Sequence, residues 1–359
     1  MNVHRSARSL LSTVAVAVAV ATLSLIGVIG MPAGVAHAEG DDVTWTVRTA
    51  SNQYGAERTG YNYAITPGAS VDDALVVANH GDTAVVLGVY AADGYTTESG
   101  QFDLVVAGTQ SVGVGAWVAS GTDHITVAPG ETTEFPFTLA VPANATPGDY
   151  SGGIVTSLTQ PGTENGITVD RRLGIKITLR VGGDLAPALA VENMHVDWNG
   201  GLNPFAGGDA TIGYTLHNAG NAVLSAQQSA SVAGPFGWFG ASAGTLDAPP
   251  QLLPGESWNV SVPVRDVPAS FWLGASASVV PVVIDASGST TDLDPVTASA
   301  SGWAVPWMLL VVVLVLAALI VLGVRLRRRR AASRLAAEDA RVQAAVASAL
   351  ESSREGAAL

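Results

Sequence analysis

The sequence predicts an all-β chain: two tandem immunoglobulin-like β-sandwiches, then one transmembrane helix and a short cytoplasmic helix. Three observations predict it. Between residues 43 and 298, short runs rich in Val, Ile, Thr, Tyr and Trp alternate with Gly, Pro, Asn and Asp, and helical periodicity is scarce. Within that stretch the same strand-and-turn plan occurs twice. After it, one uncharged apolar run ends abruptly in "RLRRRR".

Taken in chain order, residues 1–38 open with Arg5 and Arg8, continue through an apolar run from Leu10 to Met31, and close on Ala36-His37-Ala38. This is the pattern of a secretory signal peptide, which would leave a mature chain beginning near Glu39. The apolar run is long for a leader, so an uncleaved anchor is the alternative.

Strands are expected at Thr44–Arg48, Tyr61–Thr66, Asp73–Ala78, Ala84–Ala91, His124–Val127, Thr133–Val141, Tyr150–Leu158 and Ile167–Val181. They make up a first domain at 43–182. A second domain, at 184–298, repeats its plan. The turn at Asn79-His80-Gly81 has its counterpart at Asn218-Ala219-Gly220. The Pro-Gly-Glu turn and Val-Pro strand end of Val127–Pro142 recur in Leu252–Pro268. In such turns Pro presets φ and Gly supplies the left-handed residue. In "VPANATPGDYSGGIV", Gly152-Gly153 interrupts a strand and predicts a bulge or a close backbone approach.

Residues 303–324 are apolar, with Trp303 and Trp307 at their start as interfacial aromatics, and the basic tail 325–359 follows. A basic cluster of this kind stays in the cytoplasm, which gives a single-pass type I arrangement with residues 39–303 outside the cell membrane. The tail predicts a helix with Leu335, Val342, Val346 and Leu350 near one face and a Glu338–Arg341 pair.

Composition excludes several classes of function. Residues 39–303 hold 26 acidic and 7 basic side chains, net −19, so nucleic acid is not an expected partner. There is no cysteine, hence no thiol nucleophile, disulfide or cysteine metal site. No H-E-x-x-H, Walker pattern or catalytic G-x-S-x-G elbow is found, and the scattered His80, His124, His195 and His217 read as turn and surface residues. The pairs Asp41-Asp42, Asp72-Asp73 and Asp292/Asp294 read as solvated strand ends, with a calcium site built from loops as the other reading. No catalytic residue, metal or cofactor is predicted. Arg outnumbers Lys, of which Lys176 is the single example, and Ala, Val and Gly abound, a bias typical of high-GC bacteria.

Candidate ligand-binding residues are aromatic. In the first domain they are Tyr90, Tyr95 and Trp117, with core packing as the other reading. In the second they are Phe236, Trp238 and Phe239 of "GPFGWFGAS", which form either a binding tip for sugar or protein or a cap folded back on the core. "PASFWLGAS" around Trp272 reads as a core edge.

The strings Tyr61–Leu104, Ala116–Val118 and Val127–Val155 resemble the peptidoglycan-binding domain of the WxL-interacting proteins, with an actinobacterial-like composition. Shared features are an aromatic-start strand, a V-x-N strand end, the Pro-Gly-Glu turn, the Val-Pro end and the closing G-x-y-x-G-G-I. The resemblance implies a non-enzymatic cell-surface protein whose first domain contacts peptidoglycan and whose partners include WxL-type surface proteins. A scaffold of sandwiches that binds a protein and not the wall is the alternative.

Overall fold

The computed structural model describes residues 44–161, 168–201, 203, 206–284 and 289–356. The expected leader, the Asp41-Asp42 pair and Ile167 lie outside them. The first half of the fold runs β1 (Trp45–Thr49), β2 (Tyr61–Ile65), β3 (Ser70–Asn79), β4 (Val85–Thr96), β5 (Phe102–Leu104), α1 (Val114–Trp117), β6 (Val118–Ser120), β7 (His124–Val127), β8 (Thr132–Ala140), β9 (Gly148–Pro161) and β10 (Thr168–Val181). The second half runs β11 (Leu189–Asn199), β12 (Gly208–Asn218), β13 (Leu224–Ala233), β14 (Ala241–Ser242), β15 (Ser257–Val267), β16 (Phe271–Ile284), β17 (Thr290–Asp292) and β18 (Val296–Ala304). Helix α2 (Trp307–Gly356) follows.

Four sheets result. In the first half one sheet has the order β1-β3-β8-β6, and the other β2-β10-β9-β4-β5 with β7 paired to β4. In the second half the orders are β11-β12-β15 and β14-β13-β16-β17, with β18 on β16. Period-two alternation sets which side chains face inward: Tyr61, Tyr63 and Ile65 are buried along β2 while their neighbours are exposed. Contacts across the first pair of sheets include the Tyr61 and Phe137 rings at 5.2 Å and the Trp45 indole N–H donating to Thr156 Oγ1 at 2.8 Å. Ile212, Leu216, Leu224, Leu273 and Val279, drawn from both sheets of the second half, share one buried cluster.

The repeat read from the sequence recurs in detail. Asn79 and Asn218 are both buried at the end of a strand. Asn79 Nδ2 donates to the Thr83 and Val127 carbonyls, and Asn218 Nδ2 to those of Ala222 and Leu252. Each side-chain oxygen accepts from the glycine two residues on. Each asparagine N–H donates to the glutamate carbonyl of the Pro-Gly-Glu turn, Glu131 or Glu256. In those turns Gly130 and Gly255 sit at φ 68° and 82°, where a residue with a Cβ is strained.

Gly152 and Gly153 make close approaches, one on each face of β9, and the pairing of β9 with β10 and β4 runs through them without a bulge. A Cβ on Gly152 would lie 2.6 Å from Val114 Cβ and 2.6 Å from the Ala92 carbonyl oxygen; one on Gly153 would lie 2.6 Å from Leu104 Cδ1. The pair lets α1 pack on one face and the β4–β5 hairpin on the other. Gly152→Ala therefore costs about 2 kcal/mol, a typical penalty for overpacking. Urea unfolding measures it, and a variant as stable as the parent contradicts the contact.

Two boundaries move. Trp303, read as the start of the membrane segment, is a β18 residue paired with Trp272, and the second half continues to Ala304 instead of ending at 298. The helix begins at Trp307 and runs without a break to Gly356, the last described residue of the tail. Its apolar stretch has a mean hydropathy of 3.2 and is long enough to cross a membrane.

Candidate functional site

The densest polar cluster surrounds Asp73, and the sequence hid it. Read as a solvated strand end, Asp73 is buried: its side chain is 0% exposed and pairs with the Arg58 guanidinium at 2.7 and 3.0 Å. Its carboxylate also accepts from Tyr63 Oη at 2.5 Å, Asn52 Nδ2 at 2.6 Å and the Ala74 N–H at 2.8 Å. Arg58 in turn lies over the Tyr54 and Tyr61 rings. Burial alone would raise the Asp73 pKa, but the hydrogen bonds from Arg58 and Tyr63 outweigh it and hold the group below its ordinary 3.8. The same carboxylate raises the Arg58 pKa. Burial, then Asp73, raises those of Tyr61 and Tyr63. Every oxygen of Asp73 is engaged within the chain, so this cluster pins the segment before β2 to the sheet and offers no free ligand.

A second polar cluster joins the two halves. Asp149 takes Arg180 in a two-pronged pair at 2.6 and 2.8 Å and accepts the Val223 N–H at 2.9 Å. Asn221 Nδ2 donates to the Pro147 carbonyl, and the Asn221 carbonyl accepts the Asp149 N–H. Arg180 Nη2 reaches the Ile284 carbonyl at 3.2 Å, and Glu256 accepts from the Thr96 N–H and hydroxyl, both at 2.7 Å. "TPGDY" is thus a clasp between the halves.

Beside this clasp an open groove of about 330 Å³ is lined from the first half by Asp93, Val112, Asp149 and Tyr150, and from the second by Asn221 and Leu253. Asp93 builds its lip by accepting the N–H groups of Val112, Gly113 and Gly115, which order the loop into α1. Val112, at the lip, is 80% exposed.

The sequence-predicted aromatics fall in different places. Trp117 is half-buried against Tyr150, which lines the groove, with rings 4.7 Å apart. Tyr95 is exposed at the end of β4, in the hairpin that touches the second half through Thr96. Tyr90 packs on the small cluster of Ala92, Leu104 and Val155, which is the core-packing alternative. Its buried hydroxyl has no well-formed hydrogen bond among the described residues, but lies close enough to Arg172 to raise the pKa of that guanidinium. The structure does not gather these three into one site.

Phe236, Trp238 and Phe239 are exposed and do not fold back over the core. Trp272, expected at a core edge, is exposed as well, with Phe271 beside it. The string Gly240–Gly244 has the spelling G-x-S-x-G, but Ser242 is an exposed residue of the two-residue strand β14 and not the apex of a strand-to-helix turn.

No family model matches the chain, and no curated protein matches it. Among solved structures, the class 5 fimbriae chaperone CfaA aligns over 71% of this chain and 98% of its own, at 7% identity and a TM-score of 0.35. The CsuC–CsuE chaperone–tip adhesion subunit complex of Acinetobacter baumannii aligns over 70% and 97%, at 11% identity and 0.34. The Pseudomonas aeruginosa CupB2 chaperone aligns over 69% and 99%, at 14% identity and 0.28. TM-scores this low carry no argument about this chain.

Proposed function

We propose that the protein is a non-enzymatic, single-span protein of the cell surface. Its four sheets form two immunoglobulin-like sandwiches in tandem outside the membrane, and the first sandwich binds peptidoglycan. The observation that carries this reading is the passage from β18 into α2. Only Val305 and Pro306 separate the last strand from an apolar helix, and the cluster Arg325–Arg330 marks that helix's far end. That arrangement supports a folded part and a basic tail on opposite faces of the membrane, with the sandwiches outside.

Wall binding rests on the resemblance of Tyr61–Leu104, Ala116–Val118 and Val127–Val155 to the WxL-interacting proteins, and the groove beside Tyr150 is where we place it. Its half-buried Trp117–Tyr150 pair backs a cleft of mixed apolar and polar lining, large enough for a sugar or a short stretch of stem peptide. Retention of the detergent-solubilised chain on purified sacculi tests this. We expect retention that falls several-fold in Val112→Asp, a substitution at an exposed position that leaves the core alone. Sacculi that retain neither form end the proposal. A stable protein partner co-purifying without wall retention assigns the chain to the scaffold reading, with WxL-type proteins as its first candidates.

A further inference from the structure

We infer that the end of the second half formed by Phe236, Trp238, Phe239, Phe271 and Trp272 is a membrane-seating surface, inserted in the interfacial layer of the bilayer that α2 crosses. The inference rests on the reading of α2 as a membrane span. Strand register places the residues. Phe271 pairs with Ala304 and Trp272 with Trp303, so both lie within a few residues of Trp307, where the helix begins. Ala233, the last residue of β13, pairs with Gly274, which brings the following turn to the same end; a Cβ on Gly234 would lie 3.0 Å from Ser270 Cβ.

A bilayer entered at Trp307 must have its surface here. The side chains present are those that surface favours: Phe236 is 92% and Trp303 76% exposed, and tryptophan and tyrosine concentrate at membrane–water boundaries. The three segments that carry these aromatics hold no charge, from Ala233 to Leu246, from Val267 to Ile284 and from Pro295 to Val324, although the external region as a whole is strongly acidic; the charged residues toward this end, Asp197, Asp209, Arg265 and Asp266, belong to β11, β12 and β15 of the facing sheet. An acidic surface would be repelled by anionic lipid, and the aromatic segments themselves add no such repulsion. Phe236, Phe239 and Phe271 are held at φ 60°, 55° and 63°, a left-handed conformation costly for residues with a Cβ, and their rings stay outside the core.

The clasp with the first half sits at the other end of the same strands, at Asn221, Glu256 and Ile284. β13 spans the nine steps from Leu224 to Ala233, about 30 Å at the rise of a strand, so the seated protein holds its groove about that far above the lipid.

The absence of cysteine allows a single-site test on the full chain. Gly240 is the labelling position, because a Cβ there meets only the Val232 carbonyl at 4.0 Å and all three loop aromatics are kept. The chain is reconstituted into phosphatidylcholine–phosphatidylglycerol vesicles and a nitroxide is attached at G240C. V311C reports the helix and V112C the solvent-exposed first half. We expect the accessibility of the 240 label to a water-soluble nickel chelate to be several-fold below that of the 112 label. Adding F236S/W238S/F239S should return it to the 112 value. A 240 label as accessible as the 112 label while 311 is protected overturns the inference. So does dipolar broadening between copies without lipid contact, which assigns the face to a second copy of the chain. Accessibility at 311 overturns the span itself and this inference with it.

Discussion

Asp73→Ala destabilises the protein by about 4 kcal/mol, the scale on which a buried ion pair fails when one partner is removed. The substitution strands Arg58, whose side chain is 13% exposed, together with the Tyr63 hydroxyl and the Asn52 amide, which lose their acceptor at once. Asp73→Asn recovers little, because the amide nitrogen it introduces faces donors. A double variant, Arg58→Met with Asp73→Leu, recovers the part due to the stranded charge, since an apolar pair has no charge to leave unpaired, but not the part due to Tyr63 and Asn52, which still lack their acceptor. The pair also sets an acid limit. Asp73 has a folded-state pKa below 3.8, so its stabilisation is fully present above the unfolded value and is lost as pH falls through the folded value. The parent therefore loses stability below about pH 4 by a component that Asp73→Ala lacks. Urea unfolding of the detergent-solubilised chain across that range measures both effects. An Asp73→Ala variant within about 1 kcal/mol of the parent at neutral pH removes the network from the account of the fold.

Much of the fold was legible because strands announce themselves by local chemistry. His124–Val127 appears at its expected bounds, and the Asn79 and Asn218 turns and both Pro-Gly-Glu turns recur with the same hydrogen bonds. What the sequence concealed is non-local. Nothing near Asp73 distinguishes it from Asp72, which is exposed and whose carboxylate accepts from the Thr138 hydroxyl; the difference lies in Arg58, fifteen residues away, and in the face of β3 that each residue occupies. The helix α1 escaped notice because its four residues lie between Gly113 and an internal Gly115 and are too few for a period to show. The parallel pairing of β2 with β10 joins residues more than a hundred positions apart. The aromatics depend on the same non-local information. Phe236, Trp238 and Phe239 were recognisable as exposed-loop candidates, but their nearness to Trp307 follows from the registers of β13, β16 and β18, which no local pattern encodes. For Tyr90 the core-packing reading applies, because the outer face of β4 is covered by its own hairpin; that non-local cover decides between the two readings.

The clasp decides whether the two halves act as one arm. Asp149→Ala removes the two-pronged pair with Arg180 and the acceptor for Val223 N–H, and Asn221→Ala removes the amide that holds the Pro147 carbonyl. Asp149 is 4% exposed at its side chain and Arg180 22%, so the charge is well shielded, and Arg180 keeps the Ile284 carbonyl after the change. That retained contact places the expected loss at the low end for a broken buried pair, about 3 kcal/mol. Its larger consequence is mechanical. Each half has its own buried core, so the loss falls on their coupling more than on either core. Pulsed electron resonance between nitroxides at V112C and G240C reads this directly. The parent gives a narrow distance distribution, and Asp149→Ala/Asn221→Ala a broad one, while circular dichroism stays that of a folded β protein. Glu256 and Thr96 form a second contact across the same junction, so the double variant loosens the hinge without freeing it. An unchanged distribution would mean that the contacts left in place, Glu256 with Thr96, Arg180 with the Ile284 carbonyl and the Asp149 N–H with the Asn221 carbonyl, set the angle between the halves. A groove lined from both sides of the junction depends on that angle, so the double variant also weakens retention on sacculi though it leaves Trp117, Tyr150 and Val112 in place.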